Sequence, residues 1–204
     1  MTYPSTWDES YTGSTPAPWD IGRPQPIFAR LAGHGLLRGQ LLDSGCGTGE
    51  NTLLAAAAGA DALGVDIARP AIARAREKAA ERGVPARFEV ADALNLAALA
   101  PTFDTAFDTV IDSGVFHVFD DEARARYVAS LASVTAAGGH CYLMVFSDQQ
   151  PGTAGPRRVR RDELRAAFRD GWTVIGISAE TFEVNPGPFP STDIHAWLAD
   201  VRRD

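Results

Sequence analysis

The chain reads as an α/β protein, a doubly wound, mostly parallel seven-stranded sheet with helices on both faces and an antiparallel C-terminal hairpin strand. Three observations predict this. Short apolar runs alternate with longer helical stretches from residue 26 onward, the pattern of strands joined by crossover helices. A glycine-rich turn, Gly45-Cys46-Gly47-Thr48-Gly49, follows the first of those runs. The last two runs are separated only by residues 185–192, too short for a helical crossover, so they pair antiparallel at or near one edge.

The first 25 residues stand apart. Tyr3, Trp7, Tyr11 and Trp19 sit among Pro, Ser, Thr, Gly and acidic residues with no sustained period. Disordered tails are poor in aromatics, so four large rings mark a segment that packs on something, a conditional lid. We therefore divide the chain into a lid segment, 1–25, and one domain, 26–204. Residues 27–31 form a short helix closing at Gly33 or Gly35. Leu41-Leu42 leads a buried strand to Asp43. A helix runs from Glu50 through the alanines at 55–58 and stops at Gly59. Residues 62–65 are a second strand, ending at Asp66. Pro70 stands in the first turn of the next helix, which ends at Gly83. Strands follow at 87–90 and 109–111, then a helix over 122–134 and a strand over 141–146. A Pro- and Gly-containing loop leads to a helix at 161–168, a strand from 172 running toward Val184, and a final strand at 194–201.

At 204 residues, 45% of them apolar, the chain is long enough for one sizeable core. It has no run of 18 apolar residues and no signal-like N-terminus, so we expect a cytoplasmic protein with no membrane partner. Two cysteines, Cys46 and Cys141, build no disulfide framework. His34, His117, His140 and His195 lack metal-ligand spacing, so no metal is expected. A net charge of −7 argues against nucleic acid as a partner. The local basic stretch at 157–161 reads as a solvated face. Lys78 is the sole lysine among 19 basic residues, a bias we attribute to genome composition.

In open α/β sheets, ligands bind beyond the carboxyl ends of the strands, so the residues after each strand carry the chemistry. After the first comes D-x-G-x-G-x-G, Asp43 to Gly49. A dinucleotide turn requires a third glycine where Glu50 stands, and that carboxylate would repel a pyrophosphate. The turn instead suits a ligand with a positive amino group and no phosphates. Acids then follow at successive strand ends. Asp66 is placed to accept from both hydroxyls of a ribose, Asp92 from an adenine amino group, and Asp112 ends the fourth strand. Structural roles compete: a plain tight turn at the glycines, caps at Asp66 and Asp92, filler at Cys46, ordinary packing at Trp19. Asp108 reads as structural.

On these residues the sequence resembles the class I S-adenosylmethionine-dependent methyltransferases, with Leu41 to Asn51 as their first motif, Asp66 as the second-strand acid and Ala91-Asp92-Ala93 as the adenine motif. The likeness covers residues 36–150. It implies a Rossmann-like fold and S-adenosylmethionine as cofactor, leaving S-adenosylhomocysteine. It assigns Asp43, Gly45, Cys46, Gly47, Thr48 and Gly49 to the methionine end, Asp66 and Ile67 to the ribose, and Asp92 with Ala93 to the adenine. A narrower likeness lies in Ala17-Pro18-Trp19-Asp20-Ile21-Gly22-Arg23-Pro24-Gln25-Pro26, which resembles the segment before the core in thiopurine and halide/thiol methyltransferases. There a tryptophan segment closes over the cofactor, which adds Trp19 to the cofactor set; Asp112 joins that set as the acid that ends the fourth strand. With Asp112-Ser113-Gly114-Val115-Phe116-His117, it is similar to bacterial methyltransferases of heterocyclic toxins and quinolones.

The expected reaction is transfer of a methyl group to an O, N or S atom of a small aromatic or heterocyclic molecule. It requires in-line alignment at about 3–3.5 Å and exclusion of water. His117 and Asp112 are the catalytic candidates, His117 as proton acceptor or orienting group. Trp7, Tyr11, Phe116, His117 and Phe189 are the candidate acceptor contacts, with the loops 146–155 and 185–190, whose Phe and Pro content suits a flat apolar molecule. The alternatives are a halide or thiol methyltransferase, a cofactor-binding protein without transfer activity, a nicotinamide oxidoreductase and a metal-dependent catechol methyltransferase. The sequence leaves the acceptor and the oligomeric state undetermined.

Overall fold

Strand β1 (Gln40–Ser44) is buried at four of its five residues, as a strand covered on both faces must be. It lies central in a seven-stranded sheet of order β3-β2-β1-β4-β5-β7-β6. The structure, a computed structural model, describes residues 7–102, 106–187, 189 and 191–204; Tyr3, Pro188 and Pro190 lie outside them. β2 (Asp61–Asp66) pairs parallel on one side of β1 and β4 (Phe107–Ser113) on the other. β3 (Arg87–Val90) extends the first side and β5 (Thr135–Phe146) the second. β7 (Asp193–Arg203) pairs antiparallel with both β5 and β6 (Trp172–Glu183), so the expected hairpin closes one edge. The chain winds one way from β1 through β2 to β3, then crosses back to β4. The strand order therefore reverses between β1 and β4, where a ligand crevice opens in such sheets.

Local chemistry sets the helix ends. α1 (Glu9–Thr12) is a single turn in the N-terminal segment. α2 (Pro26–Gly33) opens on proline, which loses no hydrogen bond there. α3 (Glu50–Ala57) starts directly from the glycine turn. α4 (Arg69–Arg82) has a proline in its first turn and Gly83 beyond its last. In α5 (Asp121–Val134), Asp120 caps the first turn by accepting from Ala123 N at 2.9 Å. α6 (Arg161–Ala167) precedes β6.

Two points differ from the expectation. The β3–β4 crossover carries a 3-10 segment (Ala93–Thr102), broken at Asn95 (φ −145°, ψ 51°), where no helix was assigned. β5 begins six residues early, at Thr135, with a register shift opposite Phe107 and Thr109 that absorbs the Gly138-Gly139 pair.

Two large apolar clusters fill the faces of the sheet. One joins β strands to α5 and α6 through Phe116, Tyr127, Leu131, Phe168 and Trp197. The other packs Phe28, Leu31, Ile111, Met144 and Phe182 beneath α2. A small third group, Tyr11 with Ala68, Ala71 and Trp7, fastens the N-terminal segment to the start of α4. Among the described residues no helix is long and apolar enough to cross a membrane, and no three potential metal ligands gather.

Candidate cofactor and acceptor site

The turn after β1 is tied to β2. Gly45 N and Cys46 N both donate to Val65 O, at 2.8 and 2.9 Å, and Gly47 N donates to Asp66 Oδ2 at 2.8 Å. Asp66 Oδ1 accepts from Ala68 N at 2.9 Å, so one carboxylate clamps the glycine turn and the entry to α4 together. Each oxygen keeps a lone pair for a hydroxyl donor. Burial raises its pKa. Gly47 lies at φ 53°, and a Cβ there would stand 3.0 Å from the Tyr11 hydroxyl, so only glycine lets the roof come so close.

That roof is the N-terminal segment. Tyr11 is buried, and its hydroxyl accepts from Trp19 Nε1 at 2.9 Å. Trp7 and Tyr11 both meet Trp19 edge-on. Asn185 holds the segment from the other side, its N donating to Pro18 O at 2.7 Å and its Nδ2 to Ala17 O and Asp20 O. Gln25 anchors its end by exchanging hydrogen bonds with the Glu183 backbone and donating its own N–H to Asn51 Oδ1. Thr48 Oγ1 donates to Asp20 Oδ1 at 2.7 Å. The cleft beneath is walled by Tyr11, Trp19, Asp20, the turn 45–49, Ser113 and Phe182.

Asp43 is fully buried at the end of β1. Its Oδ2 accepts from Thr52 Oγ1 at 2.6 Å, and its Oδ1 finds no partner among the described residues. Burial, reinforced by the charges of Asp112 and Asp66, pushes its pKa to about 7 against the Thr52 hydrogen bond. An orphaned carboxylate oxygen under a glycine cradle fits a cationic amino group. Cys46 is a filler in the turn, its thiol pKa pushed up by burial and its Sγ 3.6 Å from Gly47 O. Ile67, directly after β2, is 51% exposed, and Val90, which ends β3 opposite Asp66, is exposed as well.

Several sequence candidates take other places. Asp112 is buried and accepts from Val115 N (2.6 Å), Phe116 N (3.0 Å) and the Tyr127 hydroxyl (3.1 Å), which also meets Ser44 Oγ at 3.0 Å. Burial raises its pKa to about 6. It holds the turn that follows β4 rather than facing the cleft, whose wall is its neighbour Ser113. Phe116 lies in the core against Phe168 and under the Arg124 guanidinium. Asp92 is exposed, and its Oδ1 accepts from Leu94 N at 2.9 Å, capping the 3-10 segment that begins at Ala93.

His117 sits among aromatics. Its ring centroid lies 4.9 Å from that of Phe146 and 6.2 Å from Phe182, and Phe146 also meets Phe182 and Phe189. Its Nδ1 accepts from Phe146 N at 3.0 Å, so the ring proton sits on Nε2. Burial, with the charges of Arg124 and Arg158, pushes its pKa to about 3. The ring is therefore neutral, with Nδ1 engaged by the Phe146 amide and Nε2 carrying the proton as a donor. Sequence reasoning missed Asp20, Ser113 and Phe182 as walls. Asp20 follows Trp19 directly, but Phe182 carries no local signal, since only the edge strand β6 brings it in.

Residues 41–139 match the family described as a methyltransferase domain. A 2-heptyl-1-hydroxyquinolin-4(1H)-one methyltransferase from Mycobacteroides abscessus is 36% identical over 192 residues, 90% of this chain and 83% of that protein. A probable thiol methyltransferase from Arabidopsis thaliana is 26% identical over 188 residues, 88% of this chain and 79% of that one. Among solved structures, one from work on the conversion of a disulfide bond into a thioacetal group during echinomycin biosynthesis superposes with a TM-score of 0.84. It is 37% identical, over 97% of this chain and 90% of that one.

Proposed function

Since this chain belongs to the class I S-adenosylmethionine-dependent methyltransferases, we propose that it methylates a flat aromatic heterocycle seated between Ser113 and the rings of His117, Phe146, Phe182 and Phe189. It is a small-molecule methyltransferase with S-adenosylmethionine as cofactor. The observation that carries the acceptor reading is the aromatic cluster of His117, Phe146, Phe182 and Phe189, which reaches the roofed glycine cradle through Phe182. The heterocycle named for the M. abscessus relative agrees with it.

Bound there, the cofactor supplies an electrophilic methyl group on a sulfonium. The chain's part is to hold, align and keep dry. Asp43 Oδ1 faces the amino group, the 45–49 turn receives the methionine end, and Asp66 takes the ribose hydroxyls. Ile67, with Asp92 and Ala93, receives the adenine. Residues 1–25 act as the lid through Trp7, Tyr11 and Trp19, excluding water from the transfer. His117 Nε2 donates to the acceptor and fixes its angle, so the nucleophile must arrive already electron-rich, as a phenolate, thiolate or ring nitrogen does. Thiols are the second reading, favoured by the A. thaliana relative.

Two measurements test this. Calorimetry with S-adenosylhomocysteine should show tight binding that Asp66→Ala weakens about tenfold, near 1.4 kcal/mol. Mass spectrometry across hydroxyquinolines, phenols, thiols and halides should then find methylated heterocycle first; turnover of halide or alkyl thiol alone would overturn the aromatic acceptor.

A further inference from the structure

We propose that Lys78 is a positioning residue that latches the N-terminal segment over the cofactor site, acting through the Thr48 hydroxyl. The inference rests on the reading of that segment as a lid. Thr48 is buried, and its hydroxyl meets two partners at 2.7 Å, Lys78 Nζ and Asp20 Oδ1. An ammonium has only protons to give, so Lys78 takes a lone pair of the Thr48 oxygen. The one proton of the hydroxyl is left for Asp20. Lys78 thereby decides which way the hydroxyl points, and its charge polarises the O–H toward the carboxylate.

The ammonium is itself fixed. Glu50, at the first position of α3, accepts from Lys78 at 2.9 Å and from both Arg82 amino groups at 2.8 and 2.9 Å. Burial acts to raise the Glu50 pKa, but the hydrogen bonds from Arg82 and Lys78 outweigh it and hold the carboxyl below its usual range. Lys78 and Arg82 stand one turn apart on α4, on one face of the helix. From α4 outward the row alternates in sign with one neutral link: Arg82, Glu50, Lys78, Thr48, Asp20. Residues 17–20 are otherwise tied to Asn185, beyond β6, and through Trp19 to Trp7 and Tyr11 of the same segment. Asp20 is where the roof grips the cofactor turn itself. Opening the cleft breaks that grip, so Lys78 sets how long a ligand stays beneath it.

The test is release of S-adenosylhomocysteine, followed by stopped-flow tryptophan fluorescence. Trp7 and Trp19, two of the four tryptophans, ride on the segment and report its movement. Lys78→Met and Asp20→Asn should each speed release roughly three- to tenfold, the loss of one charge-assisted hydrogen bond. The double variant should be no faster than the faster single one, because both cut the same row. Lys78→Arg should restore slow release, which a mere helix-surface role would not require. If Lys78→Met fails to fold, Thr48→Val takes its place in the cycle. Release from Lys78→Met within twofold of the native rate, or effects that multiply in the double variant, would overturn the latch. Faster release from Asp20→Asn alone sinks the latch and spares the lid; unchanged release from both sinks the two together.

Discussion

A carboxyl group whose pKa rests near 7 gives up its proton when a cation settles beside it, and Asp43 is such a group. Binding of S-adenosylhomocysteine at pH 7 should therefore release a fraction of a proton. The calorimetric enthalpy should then vary with the ionisation heat of the buffer, and Asp43→Asn should remove that dependence. The same shift has a sign for stability. The folded value lies above the unfolded one, about 3.9, so the contribution is whole below pH 4 and is lost as pH rises through 7. Asp112, pushed to about 6, adds in the same direction. The unfolding midpoint of free Asp43→Asn protein should accordingly fall less between pH 4.5 and 8 than that of the native chain. His117, with its pKa near 3, stays neutral throughout that range. The pH profile of methyl transfer should follow the ionisation of the acceptor, and a limb that vanishes in His117→Asn would contradict this. Asp43 and Asp66 were legible because each ends a strand before a turn. Asp112 also ends a strand, but the two amides that follow capture its carboxylate, which no pattern of residue types reveals.

The turn after β4 shows what an element adds to its residues. Phe116, His117 and Val118 form a single 3-10 turn, in which successive side chains diverge by about 120°. One ring enters the core against Phe168 and the next joins the aromatic cluster around Phe146, although the two are adjacent in sequence. Adjacency places both in the acceptor site in the sequence reading, whereas the structure groups only His117 with the Phe146 and Phe182 rings. Gly114, at φ 96°, opens the turn. A Cβ there would lie 3.1 Å from His117 Nε2 and 3.4 Å from Phe182. Gly114→Ala should cost roughly 1–3 kcal/mol in backbone strain, lowering the midpoint in scanning calorimetry. It should reduce acceptor turnover far more than affinity for S-adenosylhomocysteine, whose proposed contacts are the 45–49 turn and the end of β2; equal losses in both would show the turn serving the cofactor instead.

The molecule as a whole divides its stability unevenly. Both large cores lie against the sheet, whereas residues 7–20 add only the small group around Tyr11. A chain lacking residues 1–16 should unfold cooperatively, with a midpoint only a few degrees lower, since for about 200 residues each kcal/mol moves it by roughly 2–4 °C. Its affinity for S-adenosylhomocysteine should fall at least tenfold; unaltered affinity would remove the lid. The alternation of strands and helices made the sheet legible, and the short 185–192 connection made its antiparallel pair legible. The order of that pair was not. β7 lies inside and β6 at the edge, and only burial separates them: residues 196–199 are buried in succession, whereas only Trp172 and Phe182 of β6 are buried. Lys78 was dismissed as a trace of genome composition, because its partners are assembled by α4 and the cofactor turn rather than by neighbours in sequence.

With a single lysine in the chain, reagents aimed at primary amines have two addresses, the chain terminus and the far end of the Thr48–Asp20 contact. Acylation at the second neutralises the ammonium in place. A succinimidyl dye or an amine-coupled sensor surface would thus alter ligand residence in the very molecules it makes visible, while coupling through cysteine would meet a half-buried Cys46 in the cofactor turn and a buried Cys141. The rate at which that one amine reacts becomes a gauge of how often the roof lifts.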